Sequence, residues 1–343
     1  MTDQSKIPLP SDKPGDSEGS SLIERAAKAF DLGKLNPPPV PEQLASVAPK
    51  PVRKETARSV PQAGAREAEA GQPSAEQSET TPAVAVPSTP QPVEPVQFRG
   101  PRHPIDRDLL YEQGMIVPEG AVTGLLEEFR IVKRQILQQA GDLRRQGGGA
   151  AAQRVLVCSP HPDEGKTYCS VNLALSIAAE KEGEVVLVDA DFAKPSILSV
   201  LGLPGGPGLM DALSDPSVDI ADFVIGTDVP GLWVLPAGNA TNTDSEYLNS
   251  SRTAGVLDRL TEGAPRRMVI FDSPPALAAS PAAELAKYVG QAVMVVRAGT
   301  TGQGAVEDAT SLLSACPNIQ LLLNATQFSL SGRSFGSYYG YGS

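Results

Sequence analysis

The residues with the clearest chemical potential lie in a short loop that reads Ser-Pro-His-Pro-Asp-Glu-Gly-Lys-Thr over 159–167. An apolar run at 155–158 precedes this loop, and a helix pattern follows it. Strand, loop and helix in this order are the setting of a Walker A loop, whose backbone N–H groups surround phosphate oxygens. Lys166 would then reach the β- and γ-phosphates, and the Thr167 hydroxyl would bind Mg²⁺. The match is partial, because the strict pattern has glycine at the position of Pro160.

Three aspartates follow later apolar runs of the sequence. Asp189 and Asp191 come after one run, and Asp272 comes after another. Ligands of an open parallel sheet bind beside the carboxyl ends of its strands, so these carboxylates should arrive next to the loop. One aspartate after a strand is often only a turn or capping residue, but three of them with a Gly-Lys-Thr loop indicate a nucleotide site. We therefore predict ATP and Mg²⁺ as cofactors at this constellation.

These side chains need a sheet to position them. Short apolar runs rich in β-branched residues alternate with helical stretches, at 155–158, 185–188, 232–235, 268–271, 293–296 and 319–323. Runs of this kind are typical of strands that are covered on both faces. The sequence therefore predicts an α/β fold of the P-loop NTPase type, with a doubly wound, mostly parallel sheet.

Composition divides the 343-residue chain into several parts. Half of the 32 prolines lie before residue 100, in a stretch with few aromatic residues. Such a stretch cannot bury enough apolar surface to offset the entropy of ordering it. We predict a disordered arm at 1–105 with a short helix at 21–32, a helical lead-in with a glycine-rich linker at 106–150, a P-loop domain at 151–328, and a flexible tyrosine- and glycine-rich tail at 329–343.

Charge and hydropathy exclude some classes of protein. The net charge is −11 and no long basic run compensates for it, which argues against nucleic acid as a partner. No apolar run approaches the ~18–20 residues of a membrane span, and the first residues lack the apolar stretch of a signal peptide. We expect a cytoplasmic protein. Cys158, Cys169 and Cys316 have no metal-binding spacing, so buried free thiols are expected.

With these motifs in place, residues 120–343 resemble the bacterial tyrosine kinases (BY-kinases) of capsular and exopolysaccharide synthesis. The family's phosphate loop commonly reads S-x-x-P-G-E-G-K-[ST], and the matching residues here are Ser159, Pro162, Glu164, Gly165, Lys166 and Thr167. Asp163 stands where glycine is usual. The family's second motif, D-x-D-x-R, matches at Asp189 and Asp191, but Ala193 replaces the arginine.

The resemblance implies two groups of site residues. The catalytic group is Lys166, Asp189 and Asp191, in which Asp189 would orient or deprotonate an incoming tyrosine, although the two aspartates could exchange roles. The nucleotide-binding group comprises Asp163, Glu164, Gly165, Lys166, Thr167, Tyr168 and Asn324. The resemblance also implies that Thr167 and Asp191 hold Mg²⁺, with Asp272 acting directly or through water. Asn324 would lie near the adenine, and the segment 295–301 resembles family segments near the nucleotide.

The resemblance also covers assembly and the phosphoacceptor. The helix before the domain carries Glu127, Arg130 and Lys133, close to an E-x-x-R-x-x-R pattern that the family uses in ring-shaped self-assembly. The same charges would also suit an ordinary solvated helix face. Three of the chain's seven tyrosines lie in its last six residues, and the resemblance makes them phosphoacceptors: Tyr338, Tyr339 and Tyr341.

The resemblance thus implies a protein-tyrosine autokinase that regulates exopolysaccharide or capsule polymerisation and export. It implies a separate transmembrane activator that recruits the kinase to the inner face of the plasma membrane, a phosphotyrosine phosphatase, and a homo-oligomeric ring. Two alternatives stay open. A MinD- or ParA-like ATPase would carry a signature lysine where this chain has His161. A non-catalytic, nucleotide-binding scaffold would tolerate the departures at Asp163 and Ala193.

Overall fold

The computed structural model describes residues 94–239 and 244–326. The predicted helix at 21–32, most of the predicted arm and the three tail tyrosines lie outside the described residues. Within the described part, no helix is long and apolar enough to cross a membrane.

Eight strands form one sheet in the order β1-β4-β5-β3-β6-β2-β7-β8. Their bounds are β1 Arg102–His103, β2 Arg154–Cys158, β3 Glu184–Asp189, β4 Ile225–Thr227, β5 Leu232–Leu235, β6 Arg267–Asp272, β7 Gln291–Arg297 and β8 Ile319–Asn324. Neighbouring strands run parallel, except that β4 and β5 are antiparallel. The predicted sheet is confirmed as mostly parallel. The sequence missed β1 and β4, because strands of 2 and 3 residues are too short to show a pattern.

Helices cover both faces of this sheet. In the described residues they are α1 Arg107–Glu112, α2 Gly124–Arg145, α3 Lys166–Ala178, α4 Ile197–Leu201, α5 Leu209–Ser214, α6 Asp244–Leu248, α7 Thr253–Arg259, α8 Pro281–Leu285 and α9 Gln303–Leu312. Successive side chains of a strand point to opposite faces. Val155 and Val157 of β2 accordingly join a core with α2 and α3, whereas Leu156 and Cys158 join a core with α8 and α9. The doubly wound architecture is confirmed.

The ordered domain begins earlier than the sequence suggests. Residues 94–105 were assigned to the disordered arm, but Val96 is 5% exposed and its N–H donates to the Glu262 carbonyl at 3.0 Å. Phe98 packs edge-on against Trp233, with 5.1 Å between the ring centroids. The few apolar residues of this proline-rich segment do not recur at the spacing of a helix or a strand, so the sequence does not predict that it is ordered. The assignment of 94–105 is therefore corrected by contacts that composition cannot reveal.

Candidate functional site

The phosphate-loop candidate joins β2 to α3 and has an unusual backbone. Gly165 precedes the first residue of α3 with a φ of 94°. Asp163 also has a positive φ, 60°, a region that aspartate tolerates better than most residues. Since glycine offers no side chain to cap α3, the first N–H groups of this helix are open to an anion.

Lys166 and Thr167 open α3 and meet carboxylates from two strand ends. The Nζ of Lys166 lies 3.6 Å from Oδ2 of Asp191. The Thr167 hydroxyl donates to Oδ2 of Asp272 at 2.6 Å, and its oxygen lies 3.2 Å from Oγ of Ser196. The structure therefore brings together the loop and the carboxylates that follow β3 and β6.

Asp272 ends β6 and is fully buried. Its two oxygens accept hydrogen bonds from the hydroxyls of Thr167 and Ser170, at 2.6 and 2.9 Å. Burial is the main cause that raises the pKa of Asp272 to about 7. The sequence analysis missed Ser170, although its i+3 spacing from Thr167 places both hydroxyls on one face of α3. Asp272 thus orients the hydroxyls of Thr167 and Ser170 on α3.

The two aspartates at the end of β3 make different contacts. Asp189 accepts hydrogen bonds from the backbone N–H groups of Asp191, Ser196 and Ile197, at 3.2, 2.8 and 3.0 Å. It is 1% exposed, and burial raises its pKa to about 6. Asp191 instead turns one carboxylate oxygen towards Lys166. Asp189 therefore holds the turn that leads into α4, whereas Asp191 faces the phosphate loop.

Glu164 and Asn324, both predicted to bind nucleotide, contact the loop itself. Glu164 is 4% exposed, and its carboxylate accepts the N–H of His161 at 2.9 Å and the hydroxyl of Thr301. Asn324 donates its side-chain amide to the Glu164 carbonyl at 2.9 Å. The resemblance predicts that 295–301 lies near the nucleotide, but the sequence does not reveal the contact of Thr301 with Glu164.

Other predicted site residues lie farther from the loop. The Tyr168 hydroxyl donates at 2.8 Å to a backbone carbonyl that follows α1. On α2, Glu127 and Arg130 form an ion pair with each other. Lys133 is mostly buried, and its Nζ lies 3.0 Å from a carboxylate oxygen of Glu180. The third charge of the predicted assembly pattern is therefore bound within its own chain.

The oxygen donors near the loop suit a hard cation that also binds phosphate. Within 94–239 and 244–326, no group of three or more His, Cys, Asp or Glu side chains could hold a metal ion. Mg²⁺ commonly takes one or two protein ligands and fills its octahedron with water and phosphate oxygens. Thr167 and Asp191 would supply these one or two protein ligands. A Mg²⁺ ion here would thus depend on a nucleotide for several of its ligands.

The cysteines near the loop are not nucleophiles. Cys158, Cys169 and Cys316 are free and buried, as the sequence analysis expected. Burial raises the pKa of Cys158 and of Cys169 to about 12. A thiol with so high a pKa is almost entirely protonated at neutral pH, and the thiolate is the reactive form.

A parallel sheet, a loop before α3 and carboxylates at the strand ends together define a P-loop α/β domain. No protein-family model matches the chain. Among solved structures, the chimerical protein CapA2B2 shares the fold with a TM-score of 0.51 and 22% identity, over 68% of this chain and 96% of that one.

The sequence is similar to bacterial proteins named tyrosine-protein kinases. Tyrosine-protein kinase YwqD of Bacillus subtilis (strain 168) is 28% identical over 214 residues, which are 62% of this chain and 86% of that protein. Tyrosine-protein kinase ptk of Acinetobacter johnsonii is 29% identical over 147 residues, 43% of this chain and 20% of that protein. Tyrosine-protein kinase wzc of Salmonella typhi is 32% identical over 135 residues, which are 39% of this chain and 18% of that protein. The chain thus spans about a fifth of the length of ptk and wzc. The resemblance to bacterial tyrosine kinases is confirmed.

Proposed function

We propose that this chain is an ATP-dependent protein-tyrosine kinase that phosphorylates its own C-terminal tyrosines. The observation that carries the proposal is the convergence of Lys166, Thr167, Asp191 and Asp272 on one loop at the carboxyl ends of β3 and β6. This arrangement suits the triphosphate of a nucleotide better than any other common ligand. The names of the relatives support tyrosine, rather than water, as the acceptor.

Each residue at the loop would contribute binding or charge. ATP with Mg²⁺ would supply the phosphoryl group that is transferred. Lys166 would neutralise negative charge on that group, which is the largest contribution a protein makes to phosphoryl transfer besides positioning. Thr167 would bind Mg²⁺, with its orientation fixed by the hydrogen bond to Asp272. Gly165 lets the backbone approach the phosphates closely because it lacks a Cβ.

We assign the acceptor-facing role to Asp191 rather than to Asp189. Both oxygens of Asp189 already accept backbone N–H groups around the start of α4. Asp191 is also buried, but only its Oδ1 accepts a backbone N–H, that of Lys194. Asp191 lies beside Lys166 and would orient the tyrosine hydroxyl or a Mg²⁺ ion. The catalytic role that the sequence predicts for Asp189 becomes one of holding the turn in place.

The cellular proposals rest on the sequence resemblance. They are regulation of exopolysaccharide or capsule polymerisation and export, recruitment to the membrane by a transmembrane activator, reversal by a phosphotyrosine phosphatase, and a homo-oligomeric ring. In such a ring, Glu127 and Arg130 of α2 would form the contacts between neighbouring subunits. Lys133 would contribute less because it already pairs with Glu180.

The test is to map phosphate on the protein. Full-length protein would be incubated with ATP and Mg²⁺, digested and analysed by mass spectrometry, with Lys166→Met as the matched control. We expect phosphate on Tyr338, Tyr339 or Tyr341 in the wild type and none in the variant. ATP hydrolysis with an unmodified tail would contradict the proposal and indicate the MinD- or ParA-like alternative.

A further inference from the structure

Side chains from the ends of β7 and β8, and from the turn before α9, reach across to the phosphate loop. Arg297 donates from Nη1 to the carbonyl of Asp163 at 3.1 Å. Asn324 donates from Nδ2 to the carbonyl of Glu164 at 2.9 Å. The hydroxyl of Thr301 donates to the carboxylate of Glu164. Two consecutive residues of the loop are thus held by three side chains from a neighbouring part of the sheet.

These contacts form one connected network. Thr301 accepts the backbone N–H of Arg297 at 3.0 Å, which fixes the hydroxyl that contacts Glu164. The other oxygen of Glu164 accepts the N–H of His161 at 2.9 Å. A chain of hydrogen bonds therefore runs from the end of β7, through the turn, to the first half of the loop. Networks of this kind restrict backbone motion because each bond orients the next.

The loop needs such support because its own sequence does not favour its shape. Asp163 has a φ of 60°, in a left-handed region that aspartate tolerates better than most residues but that suits glycine best. Pro160 replaces a glycine of the strict Walker pattern. A Cβ on Gly165 would lie 2.2 Å from Nδ2 of Asn324, so this amide packs directly on the glycine. The contacts from outside hold a backbone that the loop residues would otherwise leave free to relax.

The network also controls a charge. Glu164 lies in the middle of a loop that would bind phosphate, where a free carboxylate would repel the ligand. Its two hydrogen bonds, from Thr301 and His161, hold the carboxylate in the protein with 4% of the residue exposed. Loss of Thr301 would release one oxygen of this carboxylate towards the phosphates.

We propose that Arg297, Thr301 and Asn324 form a clamp that holds the phosphate loop in its binding shape before a ligand arrives. They are positioning residues, since they act on the backbone and on Glu164 rather than on the ligand. The proposal rests on the proposed function only in requiring a triphosphate ligand at the loop. Preorganisation of this kind raises affinity by removing an ordering cost. The clamp should thus favour every triphosphate equally, with or without a base.

Calorimetric titration of the full-length protein tests this, with ATP and with inorganic tripolyphosphate as ligands. The variants are Thr301→Val and Asn324→Ala, with Thr301→Ser as the conservative rescue. Thr300→Val is the matched control, because Thr300 is an exposed neighbour in the same turn. We expect each of Thr301→Val and Asn324→Ala to weaken the binding of ATP and of tripolyphosphate by the same factor. That factor should be roughly five- to tenfold for Asn324→Ala, which loses one hydrogen bond, and at least as large for Thr301→Val, which loses two. Thr301→Ser and Thr300→Val should bind like the wild type.

Amide hydrogen exchange of residues 161–166 gives a second readout that does not need a ligand. Exchange should be faster in Thr301→Val than in Thr300→Val, in samples whose circular dichroism shows the same folded state. Equal exchange, or unchanged affinity in both clamp variants, would overturn the proposal. So would an Asn324→Ala variant that loses affinity for ATP but not for tripolyphosphate, since that result means a direct contact with the base. A wild type that binds ATP without forming phosphotyrosine would refute the kinase and leave the clamp standing.

Discussion

The two ends of the sheet's strands carry different buried ionisable groups. Arginines lie at the amino ends of β2 and β6, and aspartates lie at the carboxyl ends of β3 and β6. At the amino ends, Arg154 and Arg267 are each in contact with a carboxylate. At the carboxyl ends, Asp189 and Asp272 accept hydrogen bonds from N–H groups and hydroxyls, and within the described residues neither forms an ion pair. Burial raises the pKa of Asp189 to about 6 and that of Asp272 to about 7.

The difference separates a structural region from a functional one. A buried guanidinium with a carboxylate partner is balanced, and it joins parts of the chain. Buried carboxylates without a cation form an unbalanced site, and such perturbed groups gather where ligands bind. We therefore expect substitutions of groups that face the phosphate loop, such as Lys166 and Asp191, to change activity. Substitutions of the arginines at the amino ends should change stability, as should substitution of Asp189, which holds a turn.

The largest effect is expected at Lys166. Lys166→Met should lower the rate of tyrosine phosphorylation by about 10²–10³-fold or more, because a charge that stabilises the transition state is lost. The free energy of unfolding should stay close to that of the wild type. Rates would be measured with labelled ATP, with Lys181→Met, at an exposed position after α3, as the matched control. Equal rates in both variants would remove Lys166 from the chemistry.

Arg267 should behave in the opposite way. Its side chain is 5% exposed and contacts Glu184 at 2.9 Å. Arg267→Met should lower the free energy of unfolding by about 1–3 kcal/mol, because the buried carbonyls of Leu260 and Val96 lose their hydrogen-bond donor. The half-exposed Glu184 carboxylate can turn to water, so its loss of the ion pair adds little. Urea unfolding would measure the change, and titration at low urea would show unchanged ATP affinity in the folded fraction. A variant with normal stability and weak ATP binding would contradict the division between the two ends.

The two aspartates after β3 allow a finer comparison at one end of the sheet. Asp191→Asn should lower phosphorylation roughly hundredfold, as for a lost acid–base or metal-facing group, with little change in stability. Asp189→Asn should lower the free energy of unfolding by about 1–3 kcal/mol, because its amide cannot accept all the N–H groups before α4. Both quantities would be measured on both variants. A reversal of the two effects would return the acceptor-facing role to Asp189.

The smallest effect concerns the thiols beside the loop. Cys158 and Cys169 are buried, each with a pKa of about 12, so they should not react with a thiol reagent at pH 8 in the folded protein. Unfolding should expose all three cysteines of the chain to the reagent. Absorbance after addition of a disulfide reagent, with and without urea, measures both states. Fast labelling of the folded protein, with loss of kinase activity, would place a thiol in the site.

Much of the fold could be predicted, because its signals are local. Runs such as 185–188 and 268–271 are apolar and β-branched, and each became a strand of the sheet. Residues 94–105 were misassigned because their contacts, such as that of Phe98 with Trp233, join distant parts of the chain. Nothing in the local pattern of a proline-rich segment records such a partner.

The candidate site was predictable in part for the same reason. The motifs that contain Lys166, Thr167 and Asp272 predict that these residues lie together at the phosphate loop. The contacts of Thr301 with Glu164 depend on side-chain direction across the sheet, which spacing does not determine. Asp189 shows the limit most clearly, because its motif does not reveal that its carboxylate accepts the N–H groups of Ser196 and Ile197.

The central claim is that the γ-phosphate passes to tyrosine and not to water. A single-turnover reaction with excess full-length protein, Mg²⁺ and γ-labelled ATP tests this directly, by dividing the label between phosphotyrosine and free phosphate. We predict label on tyrosine in the wild type, and label on neither product in Lys166→Met. Release of all the label as free phosphate by the wild type would contradict the account.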